Sequence, residues 1–505
     1  MRRDGLIKLL LTKALASSLD FGRPLKFNHL SIILLITFLM SVGRLWADPG
    51  EEIILPDIGD PASQVLSVNQ EAELGEIIQA QINQHLPVST DPEIRNYLQS
   101  LGTRLIAAGV NSDFPYYFNL IFDQGINAFA MPGGIVAINS GLFILSQTES
   151  ELASVIAHEI SHISQRHIAR RYSREQKLSV VNTIALLGSV LAAVYGSADA
   201  GMAAATVTSE QMLVDQLAYS RAFEQEADRI GMALLVNARL NPFGMPRFFE
   251  RLHEYSKVNQ NNMPEFLRTH PLTMSRISDS VSRAQQYEDQ PYHETSTLYH
   301  YARARTIAIS TEPKRLVSEY RQLVKQQPSN INRYIYGIAL SRMNHGQAAI
   351  NQLKQINTSD DEHFPVAIAL AQAHIAHGTL DPALDILLKL DELYPRNEAV
   401  IYYLSTALME KKQFKSALDK LDTLESSITS NPSLEHLRAR AADGAGQPWR
   451  SHEALSNYDL MHARFNPAME HLVLALRQPG IDKHSIARIE AKKGYIRELR
   501  QKLTY

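Results

Sequence analysis

Two histidines and a glutamate on one turn of helix constrain this chain more than any other feature of its sequence. In His158-Glu159-Ile160-Ser161-His162 the second histidine follows the first by four residues. At about 100° per residue it lies about 40° round a helix and one turn along. Both imidazoles can therefore reach one cation, and Glu159 flanks them closely enough to touch a water held there. Zinc bound by two histidines requires a third protein ligand, with a fourth position open to water. A second segment must therefore pack against the first. Thr148-Glu149-Ser150-Glu151 reads as a capping box that starts the helix, and Leu152, Val155 and Ile156 give an apolar stripe leading to the histidines.

The nearest third histidine does not fit a continuous helix. His167 falls roughly 180° round from His158 and lacks the Gly-containing spacer that turns a third histidine back onto a metal. Further on, Phe223-Glu224-Gln225-Glu226-Ala227-Asp228-Arg229 reads as a second helix. Glu224 and Asp228 share one face, and Glu226 points to the other side. The expected set is one zinc ion per chain on His158, His162 and Glu224. Asp228 would accept the other N–H of a ligand histidine and fix its tautomer.

Three further features accompany this pair of helices. Asn127-Ala128-Phe129-Ala130 lies upstream, Glu224-x-x-Ala227-Asp228 follows about 60 residues after the histidine pair, and Thr269-His270-Pro271 comes later still. Together they make the chain resemble the M48 family of zinc metallopeptidases, in particular its periplasmic, repeat-bearing members. The resemblance implies a gluzincin-type peptidase domain followed by a tetratricopeptide domain. It also implies work in outer-membrane protein quality control, with unfolded or misassembled outer-membrane proteins as substrates and an outer-membrane assembly machine as partner of the repeats. In relatives of this fold a strand edge beside the zinc pairs with substrate backbone, which assigns substrate binding to Asn127, Ala128, Phe129 and Ala130. The family pattern lays His270 over the site. There it either fills the open zinc position as a gate or hydrogen-bonds the developing oxyanion.

A chain of 505 residues has room for two or more domains. With 50 Lys+Arg against 53 Asp+Glu the net charge is −3, so no global field and no motif argues for nucleic acid. The absence of cysteine excludes thiolate catalysis, thiolate zinc fingers and disulfides. Residues 1–47 read as a signal peptide: Arg2, Arg3, Lys8, Lys13, Arg23 and Lys26 precede an apolar run, Leu30 to Val42, that is too short to span a bilayer comfortably. Export to the periplasm with cleavage near Ala47 is expected, and retention as an uncleaved anchor is the competing reading. Asp48 to Gln64, with three prolines, reads as a loop.

The expected fold is mainly α with a small β-sheet. Ala72 to Ile82 and Ile94 to Ile106 have helical apolar spacing, and Tyr116 to Phe122 is strand-like. Ala128 to Ala130 and Ile135 to Ile138 flank the turn Met131-Pro132-Gly133-Gly134 as a hairpin. Between the two metal helices, Val180 to Ala193 is apolar and continues through Gly196 to Ala205 with Asp199 as its only charge. Three readings stay open for it: a membrane span, a buried helix, or a lid beside the cleft that touches a membrane surface or an unfolded client. Met245 to Tyr255 reads as a helix leading into the polar loop Asn259 to Asn262.

Beyond residue 290 the sequence becomes periodic. Ala349, Ala383 and Ala417 recur 34 residues apart, each followed four residues later by Leu353, Leu387 and Leu421. That is the length of a tetratricopeptide unit. Pro328, Pro395 and Pro432 fall near the repeat boundaries, where a helix should stop. From Trp449 onward, including Ile486 to Leu503, the chain reads as a closing set of helices. The organisation is thus a signal over 1–47, a zinc metallopeptidase domain over 48–290 and an α-solenoid of repeats over 291–505, whose concave face suits protein binding. The activity expected is that of an exported endopeptidase with Glu159 as general base. The rival is a chaperone-like adaptor with a structural or vestigial zinc site. A structural zinc site, however, is closed by four protein ligands and needs no carboxylate beside its first histidine.

Overall fold

The computed structural model describes residues 67–111, 115–175, 220–258, 263–293, 295–358, 360–424 and 431–504. The leader, the proline-bearing loop after it, Val180 to Ala205 and the Asn259 to Asn262 loop lie outside the described residues. Everything described belongs to one of the two units into which the chain divides, Asp60–Tyr505.

Local signals start the first elements. Ser67 and Gln70 form a reciprocal capping box at the head of α1 (Val68–His85). Asp91 caps α2 (Pro92–Ala107), with Pro92 at the first turn where no N–H is required. Strands β1 (Tyr117–Ile121), β2 (Ala128–Met131) and β3 (Ile135–Asn139) form a sheet in the order β1-β3-β2. The hairpin β2–β3 is antiparallel, while β1 runs parallel to β3. Gly133 and Gly134 both take positive φ in the turn, as its tight geometry demands. A Cβ on Gly133 would come 2.2 Å from Gly75 Cα, so α1 crosses the hairpin backbone to backbone.

The sheet separates two layers by the period-2 alternation of its side chains. Ile135 and Ala137 pack with Leu74, Ile78 and Ile82 of α1. Val136 and Ile138 face a larger core built from α2, α3 (Ser140–Leu145), α4 (Glu149–Ser164), α6 (Arg221–Asn237) and α7 (Gly244–Val258). Helix α4 is not the one-sided amphipath that its apolar stripe suggested. Every residue from Glu149 to Ile163 is buried, so α4 is the central rod of the domain. After α4 come α5 (His167–Glu175), α8 (Glu265–Thr269) and α9 (Met274–Gln285).

Helix α10 (Thr297–Ser310) belongs to two cores. Tyr299 and Ala302 close this first large core, and Tyr301, Ala304 and Ala308 open the next one. From there each helix packs on its neighbour in sequence: α11 (Pro313–Gln326), α12 (Asn330–Arg342), α13 (Gly346–Leu353), α14 (Asp360–His377), α15 (Leu380–Leu393), α16 (Glu398–Glu410), α17 (Phe414–Asp422), α18 (Pro432–Gly444), α19 (Pro448–Leu460), α20 (Phe465–Leu476) and α21 (Lys483–Thr504). Ala349, Ala383 and Ala417 are fully buried, as are Leu387 and Leu421, with Leu353 at 1% exposure. The period also runs through residues not noticed in the sequence. Asn344, Gly378, Lys412, Gly446 and Gly480, 34 residues apart, all take positive φ in the turns joining successive helix pairs. The 34-residue spacing of these turns therefore runs on to the one between α20 and α21, helices that share a hydrophobic cluster of their own.

Two contacts fasten the array to the first layers. Fully buried Arg305 of α10 donates to the Asp91 cap of α2 at 2.8 Å and to Tyr403 of α16 at 2.8 Å. At the far end Tyr495 donates to Glu76 at 2.5 Å and Asn83 donates to the carbonyl of Met461 at 3.0 Å. A cavity of about 910 Å³ lies between, lined by Glu76, Tyr117, Trp449, Arg488 and Tyr495 among others. Among the described residues no helix is long and apolar enough to cross a membrane.

Candidate active site

Thr148 caps α4 by accepting from the Glu151 N–H, but the glutamate does not complete the box expected from the sequence. Its carboxylate accepts from the N–H of Gln147 at 2.8 Å and pairs with Arg251 of α7. The cap thereby also ties α7 to the head of the metal helix. Two turns along, His158 and His162 bring their Nε2 atoms to 3.0 Å of each other.

Helix α6 lies against α4 on its buried face, where Phe223, Glu224, Ala227, Asp228 and Gly231 point inward. Gly231 lets the two backbones approach, since a Cβ there would lie 3.2 Å from the His158 nitrogen. This places the Glu224 carboxylate 3.6 Å from His158 Nε2 and 3.5 Å from His162 Nε2. Asp228 Oδ1 lies 2.9 Å from His158 Nδ1 as its ion-pair neighbour, without the alignment of a hydrogen bond. His270, at the end of α8, is 1% exposed and stacks on Phe266. Its Nδ1 lies 3.0 Å from Glu224 and 3.4 Å from His158 Nε2.

The donor set fits a zinc ion. One donor atom each from His158, His162, Glu224 and His270 lies within 4.8 Å of every other. Bonds of about 2.0–2.2 Å to nitrogen and oxygen in tetrahedral geometry put neighbouring donors about 3.3–3.5 Å apart, and the five separations above, taken with one or other Glu224 oxygen, run from 3.0 to 3.6 Å. His270 thus stands at the fourth corner, with its Nε2 turned towards Glu159 at 3.6 Å. Glu159 is completely buried and neither carboxylate oxygen has a hydrogen-bond partner. A buried orphan carboxylate is costly, and it is the group that a nearby cation and a water would satisfy.

Electrostatics follow from burial and from these pairs. Desolvation raises the Glu159 carboxyl above its ordinary range, with His270 and His158 opposing. Burial also acts to raise Glu224, but His270 and the hydrogen bonds from His162 and His270 reverse it and hold the carboxyl well below that range. Asp228 is likewise pulled down, against burial, by His158 and Arg276.

Two residues of this site carried no usable signal in the sequence. Arg276 of α9, 5% exposed, grips Asp228 through Nε and Nη2 at 2.7 and 2.8 Å, and reaches Glu224 at 2.6 Å and the Pro271 carbonyl at 3.0 Å. His167 is fully buried and its Nδ1 lies 2.8 Å from Nδ1 of His162. The angular argument against it assumed one helix, but α4 ends at Ser164 and Arg166 takes φ 51° before α5 begins. Burial lowers the His167 imidazole to about 4, so it is neutral. Glu226 does face away from the metal cluster, where it meets His167 Nε2 at 3.2 Å and Arg170 at 3.0 Å.

The expected substrate strand sits beside this cluster. Ala128, Phe129 and Ala130 lie in β2, which packs on α4 and, among the described residues, pairs only with β3. Ala128 and Ala130 are buried and Phe129 is half-buried. Asn127 is buried just before the strand, its carbonyl accepting from Asn139. The neighbouring Ile126 carbonyl accepts from Phe266 of α8, four residues before His270.

Comparison with known proteins gives a consistent family. Residues 92–284 match Peptidase family M48. A putative beta-barrel assembly-enhancing protease of Vibrio cholerae is 43% identical over 260 residues, 51% of this chain and 53% of that protein. The beta-barrel assembly-enhancing protease of Escherichia coli K12 is 37% identical over 287 residues, 57% and 58% of the two chains. That of Yersinia pestis is 32% identical over 383 residues, 68% of this chain and 78% of its own. The match to the first two spans a little over half of their length.

Proposed function

The chain belongs to Peptidase family M48, and from that premise we propose that it is an exported zinc-dependent endopeptidase acting on misfolded or stalled outer-membrane proteins. The observation that carries the chemistry is the convergence of His158, His162 and Glu224 beside the unpartnered carboxylate of Glu159. His158 and His162 present Nε2, Glu224 presents a carboxylate oxygen, and the Asp228 carboxylate beside His158 Nδ1 favours the tautomer that leaves Nε2 free. Bound by these ligands, zinc supplies Lewis acidity towards a carbonyl and acidifies water. Glu159 takes the proton of the attacking water and returns it to the leaving amine. The edge of β2 pairs with an extended substrate backbone, and main-chain pairing accepts many sequences.

His270 acts as the gate. Its place at the fourth corner of the donor set supports this over an oxyanion role at one remove from the metal. The helical array is of the tetratricopeptide type, supported by its 34-residue period of turns, and it holds clients or an outer-membrane assembly partner. The leader-like first 47 residues support a periplasmic setting. The test is zinc content and cleavage of an unfolded outer-membrane protein by the wild type and by Glu159→Gln. Equal cleavage by both proteins would sink the mechanism, and a wild type that binds no zinc would sink the metal assignment.

A further inference from the structure

His162 has an unusual neighbour for a residue placed on a metal. The other ring nitrogen of a ligand histidine ordinarily faces a carboxylate, a carbonyl or water, and His158 Nδ1 has the Asp228 carboxylate 2.9 Å away. His162 instead meets a second imidazole, with its Nδ1 2.8 Å from Nδ1 of His167. Beyond it, His167 Nε2 lies 3.2 Å from Glu226 Oε2, and Arg170 Nη1 lies 3.0 Å from the same oxygen.

The proton positions along this row are determined by its ends. A carboxylate accepts only, so the His167–Glu226 contact places the hydrogen on His167 Nε2. A neutral imidazole that donates from Nε2 accepts at Nδ1, so His162 must donate from its own Nδ1. The Nε2 lone pair of His162 then faces His158 Nε2 and Glu224, at 3.0 and 3.5 Å. Each of these contacts agrees with the next, and the tautomer of His162 that satisfies this row is the one that can bind a metal through Nε2.

We propose that His167, oriented by Glu226, is the positioning residue of His162, holding that imidazole in the metal-binding tautomer and orientation. This rests on the zinc reading given above. The left-handed Arg166, φ 51°, is what makes the arrangement possible, because it turns the chain between α4 and α5 and brings His167 beside His162. The competing structural role is packing. The His167 ring stacks on Phe223 with centroids 4.3 Å apart and planes 14° from parallel, so a flat ring there fills space whatever its nitrogens do.

The experiment separates the two roles in the full chain. His167→Phe keeps an aromatic ring on Phe223 but removes the acceptor. His167→Asn gives up the ring, yet its amide oxygen stands near the former Nδ1. Zinc affinity is measured by competition with a chelator, and thermal unfolding of the metal-free proteins is measured alongside. His167→Phe should bind zinc roughly 10–100-fold more weakly, the scale for loss of such a partner, with metal-free unfolding close to the wild type. His167→Asn should recover most of that affinity. Glu226→Ala, which touches neither His162 nor the cluster, should weaken zinc binding by a smaller factor, and it serves if the His167 variants do not fold. Wild-type affinity in His167→Phe, equal losses in the Phe and Asn variants, or unchanged affinity in Glu226→Ala would each overturn the proposal. Absence of zinc from the wild type would instead overturn the metal assignment, and that is read before any variant is compared.

Discussion

Replacing Arg276 by methionine removes a buried cation while keeping much of the apolar stem. In the metal-free protein this strands two acids, Asp228 at 5% and Glu224 at 1% exposure. Asp228 now accepts from the guanidinium at 2.7–2.8 Å, and Glu224 Oε2 lies 2.6 Å from it as an ion pair. Breaking a buried pair by deleting one partner costs about 3–5 kcal/mol. The lower end applies here, because Asp228 keeps His158 and Glu224 keeps His270. At about 2–4 °C per kcal/mol for a unit of 150–250 residues, a loss of about 3 kcal/mol lowers the peptidase transition by roughly 6–12 °C. Zinc, bound to Glu224 and close to Asp228, replaces most of the missing positive charge, so the zinc-loaded variant should lose much less. Scanning calorimetry in EDTA and in excess zinc reads both quantities. A metal-free shift below about 2 °C, or equal shifts with and without zinc, would refute the reasoning.

Glu159→Gln should retain zinc and the wild-type unfolding temperature yet lose peptide cleavage, as metal analysis and a peptidase assay on the same preparation will show. Glu224→Ala should lose stoichiometric zinc while Glu226→Ala keeps it at saturation, and metal analysis giving the reverse order would defeat the ligand assignment. His270→Ala should raise basal proteolysis, read as self-cleavage or casein hydrolysis, without loss of zinc; a fall of roughly 10²–10³ would favour the oxyanion role. A fragment ending at residue 310 should bind zinc and melt higher than one ending at residue 290. The shorter piece lacks Tyr299, whose hydroxyl donates to the Ser146 carbonyl at 2.7 Å, and Ser296, which donates to Glu149 at 2.8 Å. Equal melting of the two fragments would show that α10 adds nothing to the peptidase core.

The helical array was legible in the sequence because close packing of paired helices demands small residues at fixed places. Ala349, Ala383 and Ala417 reveal its length for that reason. The sequence hid that the same period continues to the last helices. The turn positions at 344, 378, 412, 446 and 480 share a backbone conformation but not a residue type, and two of the five are Asn344 and Lys412. Asparagine tolerates the left-handed region and lysine adopts it only at a cost, so a rule that looks for glycine misses them. The boundary at 290 was drawn from a change in pattern. Helix α10 obscures it, since its mean composition is that of neither domain and each of its faces is buried in a different core.

At the candidate site, what could be read was whatever depends on spacing within one helix. Four-residue separations bring His158 to His162 and Glu224 to Asp228, and a regular helix guarantees both. What could not be read depends on where a helix stops and what approaches from another element. His167 was set aside by an angle valid only for an unbroken helix, and nothing at Gln165-Arg166 signals a break: there is no proline and no glycine. Arg276 stands on α9, more than a hundred residues from His158, and its sequence surroundings resemble those of half-buried Arg283 two turns further along the same helix. A fully buried helix carrying two histidines and a glutamate nevertheless imposes a demand that could have directed the search. Buried acids need partners, and α4 with α6 brings at least three, Glu159, Glu224 and Asp228, into one core. Two histidines and a divalent ion leave further lone pairs on these carboxylates, and a cation from outside the two helices can fill them. The chain supplies it from the helix that follows His270, where the same guanidinium also holds the Pro271 carbonyl. Seating the segment that carries His270 and completing the metal site's outer partners are therefore one packing event.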